Sequence, residues 1–422
     1  MGGTLIDGSG GPPRADVAIV IRGPRIEAVV PRAGFTLPDR TTEMDIAGKW
    51  VIPGLIDAHG HVAPWALGRY LAWGVTTVRD VHGQRDTILA IRQRAADGAL
   101  PSPRIYSAGA MIDGRPTTYA DAIGVDDGSD ARKAVDRLSV AGVDFIKVYT
   151  RIDPPLLRAI LDEANTFGLK VTGHLGLTDA VTAAGAGIAA IEHLSGVPEA
   201  AGGDASALYA AHYRGFWPGW TAFERGWIGL DSAALARVAA VLAEQQVIVV
   251  PTLTLHETYS RLDDTAVTQQ PELRAVPGAE QARWDVTGMI ARAGWSAADF
   301  AAFRQARPYQ DRFLREVRRA GGIVAAGTDA SNQLLVPGFS LHREMELLVN
   351  AGFTPGEALA AATRNGGLLL GADSLGVIAP GKAADLVVLG ADPLADIRNS
   401  RKVERVMVRG RLLSADSIRA GW

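Results

Sequence analysis

Along the chain, short apolar runs alternate with longer stretches in which apolar residues recur every three or four positions. That alternation predicts strand and helix units built on a parallel sheet. Eight such runs follow one another, at 51–58, 75–81, 104–108, 145–149, 170–174, 189–193, 248–253 and 323–328. The helices between them carry start signals. Asp153 precedes Pro154 and Pro155 ahead of LLRAILDEA, which sets a capping carboxylate before residues whose φ already suits a first turn. Thr354 and Glu357 form a capping box before ALAAAT. The two ends of the chain read differently. Segments 15–21, 25–30, 42–47, 385–389 and 403–409 are brief, rich in β-branched residues and bounded by turn residues, so short strands are expected there. Neither end can bury a sheet face alone, which predicts that they meet in one small β-domain.

Eight runs favour a closed (β/α)8 TIM barrel in an α/β protein, placed at 53–370, with 1–52 and 371–422 as the two parts of the small domain. A length of 422 residues accommodates a barrel of about 250 residues plus a partner. An open doubly wound sheet is the alternative, but no G-x-G-x-x-G fingerprint follows the first run.

Composition narrows the function. Apolar residues make up 47% of the chain and charged residues 21%, a globular balance with ample material for a core. A net charge of −3, without a basic stretch, argues against nucleic acid and anionic membranes as partners and leaves a small-molecule substrate. A homo-oligomer stays open. There is no cysteine, so a metal would have to be held by His, Asp, Glu or a less usual group. The stretch MGGTLIDGSGG has neither a charged nor an apolar leader segment, and cytoplasmic is the default expectation.

The histidines supply the candidate chemistry. His59 and His61 follow the first run, and a spacing of two puts both rings on one face of an extended chain. His174 ends KVTGH and His193 ends AAIEH, so four of the eight histidines terminate predicted strands on one rim, where barrel enzymes place their catalysis. Asp329 closes IVAAGTD on the same rim, able to bind a metal and to move a proton, its plain alternative being a helix cap. Lys147, in DFIKVY, sits between apolar neighbours. A buried ammonium is costly and has no lone pair for a metal, so either it pairs with a carboxylate or its amine is modified. Addition of carbon dioxide would make a carbamate with two oxygens able to bridge two cations, and that is the reading adopted for Lys147.

The elements PGLIDAHGH, GVTTVRD, IKVY, TGHL, IEHL, GTDA, LHREMELLVNAGFTPGEALAAAT and GVIAPGKAADLVVLG together resemble the amidohydrolase superfamily, most closely its imidazolonepropionase-like and prolidase-like branch. The resemblance covers nearly the whole chain. It implies a binuclear centre, commonly two zinc ions, with His59, His61 and Asp329 on one ion and His174 and His193 on the other. A carboxylated Lys147 and a hydroxide would bridge them, and the two chain ends would form a β-sandwich-like domain beside the barrel. The implied reaction is attack of that hydroxide on an amide-type C–N bond of an N-acyl amino acid, aryl amide or dipeptide, with Lys147 and Asp329 as catalytic groups. Asp329 would pass the proton to the leaving nitrogen. Lys147 itself argues against the deaminase-like members and against imidazolonepropionase activity. An ester or lactone hydrolase using the same ions is the alternative, and a non-catalytic scaffold the third reading.

Two departures from the prolidase-like pattern stand out. AGAMIDGRPTTYAD has no histidine, and EHLSGVPEA has no tyrosine, which puts dipeptidase-type carboxylate recognition in doubt. Instead, segment 197–230 carries Tyr209, Tyr213, Phe216, Trp217, Trp220, Phe223 and Trp227, which could form an aromatic lid or simply pack on itself. Trp217 and Trp220 join Tyr149, His82 and His256 as candidate substrate contacts, with ordinary packing as the alternative for each. His342, inside the helix pattern LHREMELL, reads as structural.

Overall fold

A computed structural model describes residues 1–202 and 204–422. Both chain ends enter one seven-stranded sheet, in the order Arg411–Ser414, Val403–Val408, Leu386–Leu389, Trp50–Pro53, Gly3–Leu5, Arg14–Arg22 and Arg25–Pro31. The ends meet where Leu386–Leu389 runs antiparallel to Trp50–Pro53, with Val387 opposite Ile52. Leu5, Val17, Ile26, Val51 and Val388 bury one face of this sheet, which neither end could cover alone. The predicted strand at 42–47 does not form. Asp45 accepts a hydrogen bond from Ala47 N and Lys49 N bonds back to Ile46 O, so a local turn takes the backbone groups that a ladder needs.

The parallel strands form two further sheets. One holds Leu55–Gly60, Val75–Asp80 and Arg104–Ser107; the other holds Ile248–Val250, Ala190–Glu192, Val171–Gly173, Ile146–Val148, Ile112–Gly114 and Ile123–Val125. Asp144 N donates to Ser107 O and links the two. On the far side the run 323–328 touches both: Ala325 N donates to Val249 O, and Ala58 N donates to Ala326 O. Hydrogen bonds therefore pass through all eight of the expected runs in turn. Two of these runs behave differently from the expectation. The run 51–58 breaks at Gly54, with Trp50–Pro53 in the seven-stranded sheet and Leu55–Gly60 among the parallel strands. A Cβ at Gly54 would lie 2.0 Å from Thr76 Oγ1, so only glycine lets the chain cross between sheets so closely. The run 323–328 makes an isolated bridge, Val324 to Val249, in place of a ladder. Its Gly327 packs so tightly that a Cβ there would be 2.6 Å from His59 Cβ.

Helix starts follow their signals. Asp153 accepts from Leu156 N at the head of Pro154–Thr166, and Thr354 and Glu357 exchange bonds at the head of Pro355–Ala361. Among the described residues no helix is long and apolar enough to cross a membrane.

His342 is fully buried in the helix Phe339–Asn350. Trp73 O can only accept, so Nε2 donates to it at 2.9 Å, and Nδ1 is left to accept from Ser400 Oγ at 2.8 Å. Burial pushes this imidazole down to about 3, against the pull of the Trp73 carbonyl and with the guanidinium groups of Arg401 and Arg419 adding to the effect. A histidine whose folded pKa lies below its unfolded value contributes stability that is complete above pH about 6.5 and is lost as pH falls toward the folded value. Denaturant titrations should show stability falling by up to about 1.4 kcal/mol per pH unit between pH 6 and 4 from this group. His342→Gln should flatten that slope by close to one proton, and an unchanged slope would show that His342 is not the group responsible.

Candidate metal centre

The first parallel strand, Leu55–Gly60, delivers His59 and then His61 to one rim. Asp57 fixes that strand end: its carboxylate accepts from His59 N, Thr328 N and Thr328 Oγ1, tying the first run to the last. Each ring is held through the nitrogen that points away from the cluster. His61 Nδ1 donates to His82 O at 2.9 Å, turning Nε2 toward Asp329 Oδ1 at 2.8 Å. His59 Nδ1 meets Glu192 Oε2 at 2.6 Å, turning its Nε2 toward the same Asp329 oxygen at 3.0 Å. Thr252 Oγ1 donates to Pro251 O and so accepts from His193 Nδ1 at 2.7 Å, which leaves the Nε2 lone pair of His193 free. This is the way metal-ligating histidines are usually oriented, by a hydrogen bond on the far nitrogen.

One donor atom each from His59, His193 and Asp329 lie within 4.8 Å of one another. The His174 ring centroid is 4.6 Å from that of His193. Lys147, opposite Thr172 on the strand Ile146–Val148, is 1% exposed, and its Nζ has no hydrogen-bond partner. Burial lowers the Lys147 amine to about 8, with the Glu192 carboxylate opposing. Burial also holds His174 and His193 well below the usual imidazole range, so both are neutral and able to donate a lone pair. For Asp329, burial pushes the carboxyl up, but the hydrogen bonds from His59 and His61 outweigh it and hold the group well below the usual carboxylate range. His59, His61, Lys147, His174, His193 and Asp329 all line a single cavity of about 180 Å³.

Residues 50–413 match the amidohydrolase family. The chain belongs to that family. An imidazolonepropionase of Cereibacter sphaeroides is 27% identical over 420 residues, 93% of each chain. A stretch of 60 residues, 14% of this chain and 10% of the other, is 40% identical to an adenine deaminase of Rubrobacter xylanophilus. Among solved structures, a Xaa-Pro dipeptidase with bound methionine in the active site shares the fold at a TM-score of 0.72, with 21% identity over 98% of each chain. This amidohydrolase is a hydrolytic enzyme acting on C–N bonds; it is similar in sequence to the imidazolonepropionase and in fold to the dipeptidase.

Of the candidate substrate contacts in this amidohydrolase, Tyr149, His82 and Trp220 line the cavity. Trp217 does not: it packs edge-on against Trp295, with ring centroids 5.4 Å apart. His256 also lies outside the lining, stacked behind Trp220 at 5.3 Å, with Nδ1 on Glu224 Oε1 at 2.5 Å and Nε2 donating to His193 O at 3.2 Å. The 197–230 segment folds into helices that include Ala205–Arg214 and Phe216–Gly226, and the second carries Phe216 and Trp220 to the cavity.

Several residues of the site carried weaker signals. Tyr119, Tyr259, Met111, Leu255 and Asn332 line the cavity without belonging to any motif. Glu192, inside the motif IEHL but not singled out there, is fully buried behind the cavity between Arg79 Nη2 at 2.5 Å and His59. An acid inside the apolar run AAIEH raises the same question of burial cost as Lys147, so that argument could have found it.

Proposed function

We propose that this amidohydrolase is a binuclear metal-dependent enzyme that hydrolyses an amide-type C–N bond of a small molecule. In this reading the eight parallel runs close as a (β/α)8 barrel over 53–370, and the seven-stranded sheet from 1–52 and 371–422 forms a separate small domain against it. His59, His61 and Asp329 would hold one divalent cation, and His174 and His193 the other. Lys147 would join them after its amine adds carbon dioxide and releases a proton, becoming an anionic carbamate with two oxygens.

The observation that carries the proposal is the Lys147 amine, buried without a hydrogen-bond partner beside neutral imidazoles and the Asp329 carboxylate. An unmodified amine in that position is a cost with no return, whereas a donor set of nitrogens and hard oxygens suits zinc. Bound divalent ions would supply Lewis-acid polarisation and a deprotonated water at neutral pH. The chain itself would do the rest. Asp329, close to both His59 and His61, is placed to accept a proton and hand it to the departing nitrogen. Asn332 Nδ2, which donates to Asp329 Oδ2 at 2.8 Å, would keep the second oxygen from rotating. Tyr149 and Trp220 would exclude water from the scissile bond.

Purified protein is expected to contain close to two equivalents of metal, and a chelator is expected to abolish turnover of an amide substrate until metal is restored. Undiminished amide hydrolysis by metal-free protein would remove this reading.

A further inference from the structure

We infer that the substrate presents a neutral, flat aromatic group to this cavity and that a free carboxylate is selected against. The inference rests on the hydrolase reading above and names the substrate class for it.

Five rings form an unbroken belt around the candidate metal residues. The centroids of Tyr149 and Tyr119 are 5.6 Å apart, those of Tyr119 and Phe216 6.1 Å, Phe216 and Trp220 5.9 Å, and Trp220 and Tyr259 5.4 Å. These are spacings at which aromatic edges and faces attract, and a flat guest could extend the series. One member of the belt, Trp220, is fixed from behind. Trp220 is backed by the His256 ring, and Glu224, from the same helix as Trp220, holds His256 while accepting from Gln310 Nε2 at 3.1 Å. A pre-formed wall gives stacking energy without a cost for ordering it.

The charge pattern of the same wall excludes acids. Among the described residues, the charged or titratable groups lining the cavity, other than the tyrosines, are the six of the candidate metal centre and His82. His82 is already engaged: Nε2 lies 3.1 Å from an Asp121 carboxylate oxygen, and Nδ1 accepts from Met111 N. No guanidinium lines the cavity, and the one lysine there is Lys147 of the candidate centre. A carboxylate on the substrate would lose its water and find no cationic partner beyond the centre itself, only neutral donors such as the Trp220 indole N–H and the tyrosine hydroxyls, which suit a carboxamide of the same shape at a smaller desolvation cost.

Hippuramide and hippurate test this on the metal-loaded enzyme, because they share the benzoyl group and the scissile amide and differ only in carboxamide against carboxylate. The kcat/KM for hippuramide is expected to exceed that for hippurate at least tenfold. The preference for hippuramide over N-acetylglycinamide is expected to fall about tenfold in Trp220→Ala, with Phe216→Leu as a milder variant should the first misfold. Hippurate turned over as well as hippuramide, or a benzoyl preference unmoved by both substitutions, would overturn the inference. If neither compound is hydrolysed, calorimetry on the same protein decides. Tighter binding of hippuramide keeps the substrate class and counts against the hydrolase reading, whereas tighter binding of hippurate, or no binding of either, overturns the substrate class.

Discussion

Replacing Lys147 with methionine is expected to lower kcat for amide hydrolysis by roughly three orders of magnitude, about 4 kcal/mol of barrier, without destabilising the fold. Methionine keeps an unbranched apolar stem close to that of lysine but offers neither an ammonium nor an amine that can add carbon dioxide. Lys147 is 1% exposed, lies on a strand between Ile146 and Val148, and has no hydrogen-bond partner at Nζ. If its role were structural, the partner would be the Glu192 carboxylate, the strongest negative influence on the amine. But Glu192 already receives Arg79, His59 and Thr172, so removing the lysine leaves no acid unpaired. Thermal melting should therefore be unchanged or raised, while metal analysis should drop from two equivalents toward one. A variant that melts well below the parent but keeps two metals and its kcat would identify Lys147 as a structural cation and end the carbamate proposal.

The parts of the fold legible in sequence were those set by period. Alternation of apolar runs with helical repeats located the parallel strands, because a strand buried on both faces has to be continuously apolar. The runs at 145–149 and 170–174 correspond to Ile146–Val148 and Val171–Gly173, trimmed by one residue at each end. What failed was decided by contacts between distant segments. Nothing within 51–58 shows that Gly54 must pass Thr76, and so nothing there shows that one run serves two sheets. The 42–47 segment looked like a strand by residue type, but the Asp45 side chain reached the backbone first. The site followed the same division. Each histidine of the candidate centre, Lys147 and Asp329 end or occupy a periodic run, so position along the run carried information. Tyr119 sits in an irregular stretch after Pro116, and Tyr259 near the end of a short helix, so their place on the cavity wall depends on tertiary packing that no local pattern encodes.

Removing Glu192 tests whether the buried acid beneath the cluster serves the fold, the metal or both, and the expectation is both, in separable amounts. Glu192→Leu leaves the Arg79 guanidinium, itself 1% exposed, without its carboxylate; its remaining contacts are Ala58 O at 3.0 Å and the Phe145 ring at 4.6 Å. An uncompensated buried charge costs about 3–5 kcal/mol, so a fall in melting temperature on the order of 10 °C is expected. The same substitution frees His59 Nδ1 from its 2.6 Å bond, and loss of such an orienting carboxylate typically weakens metal binding by about 10–100-fold. The two effects part company in the double variant with Arg79→Met. Replacing both members of a buried pair with apolar side chains of similar volume is often close to neutral, so the melting temperature should return toward that of the parent. Metal affinity should not return, because His59 still lacks the acceptor that fixes its ring. If metal affinity recovers together with stability, Glu192 acts on the centre only by keeping Arg79 in place, and its role in aiming His59 is excluded.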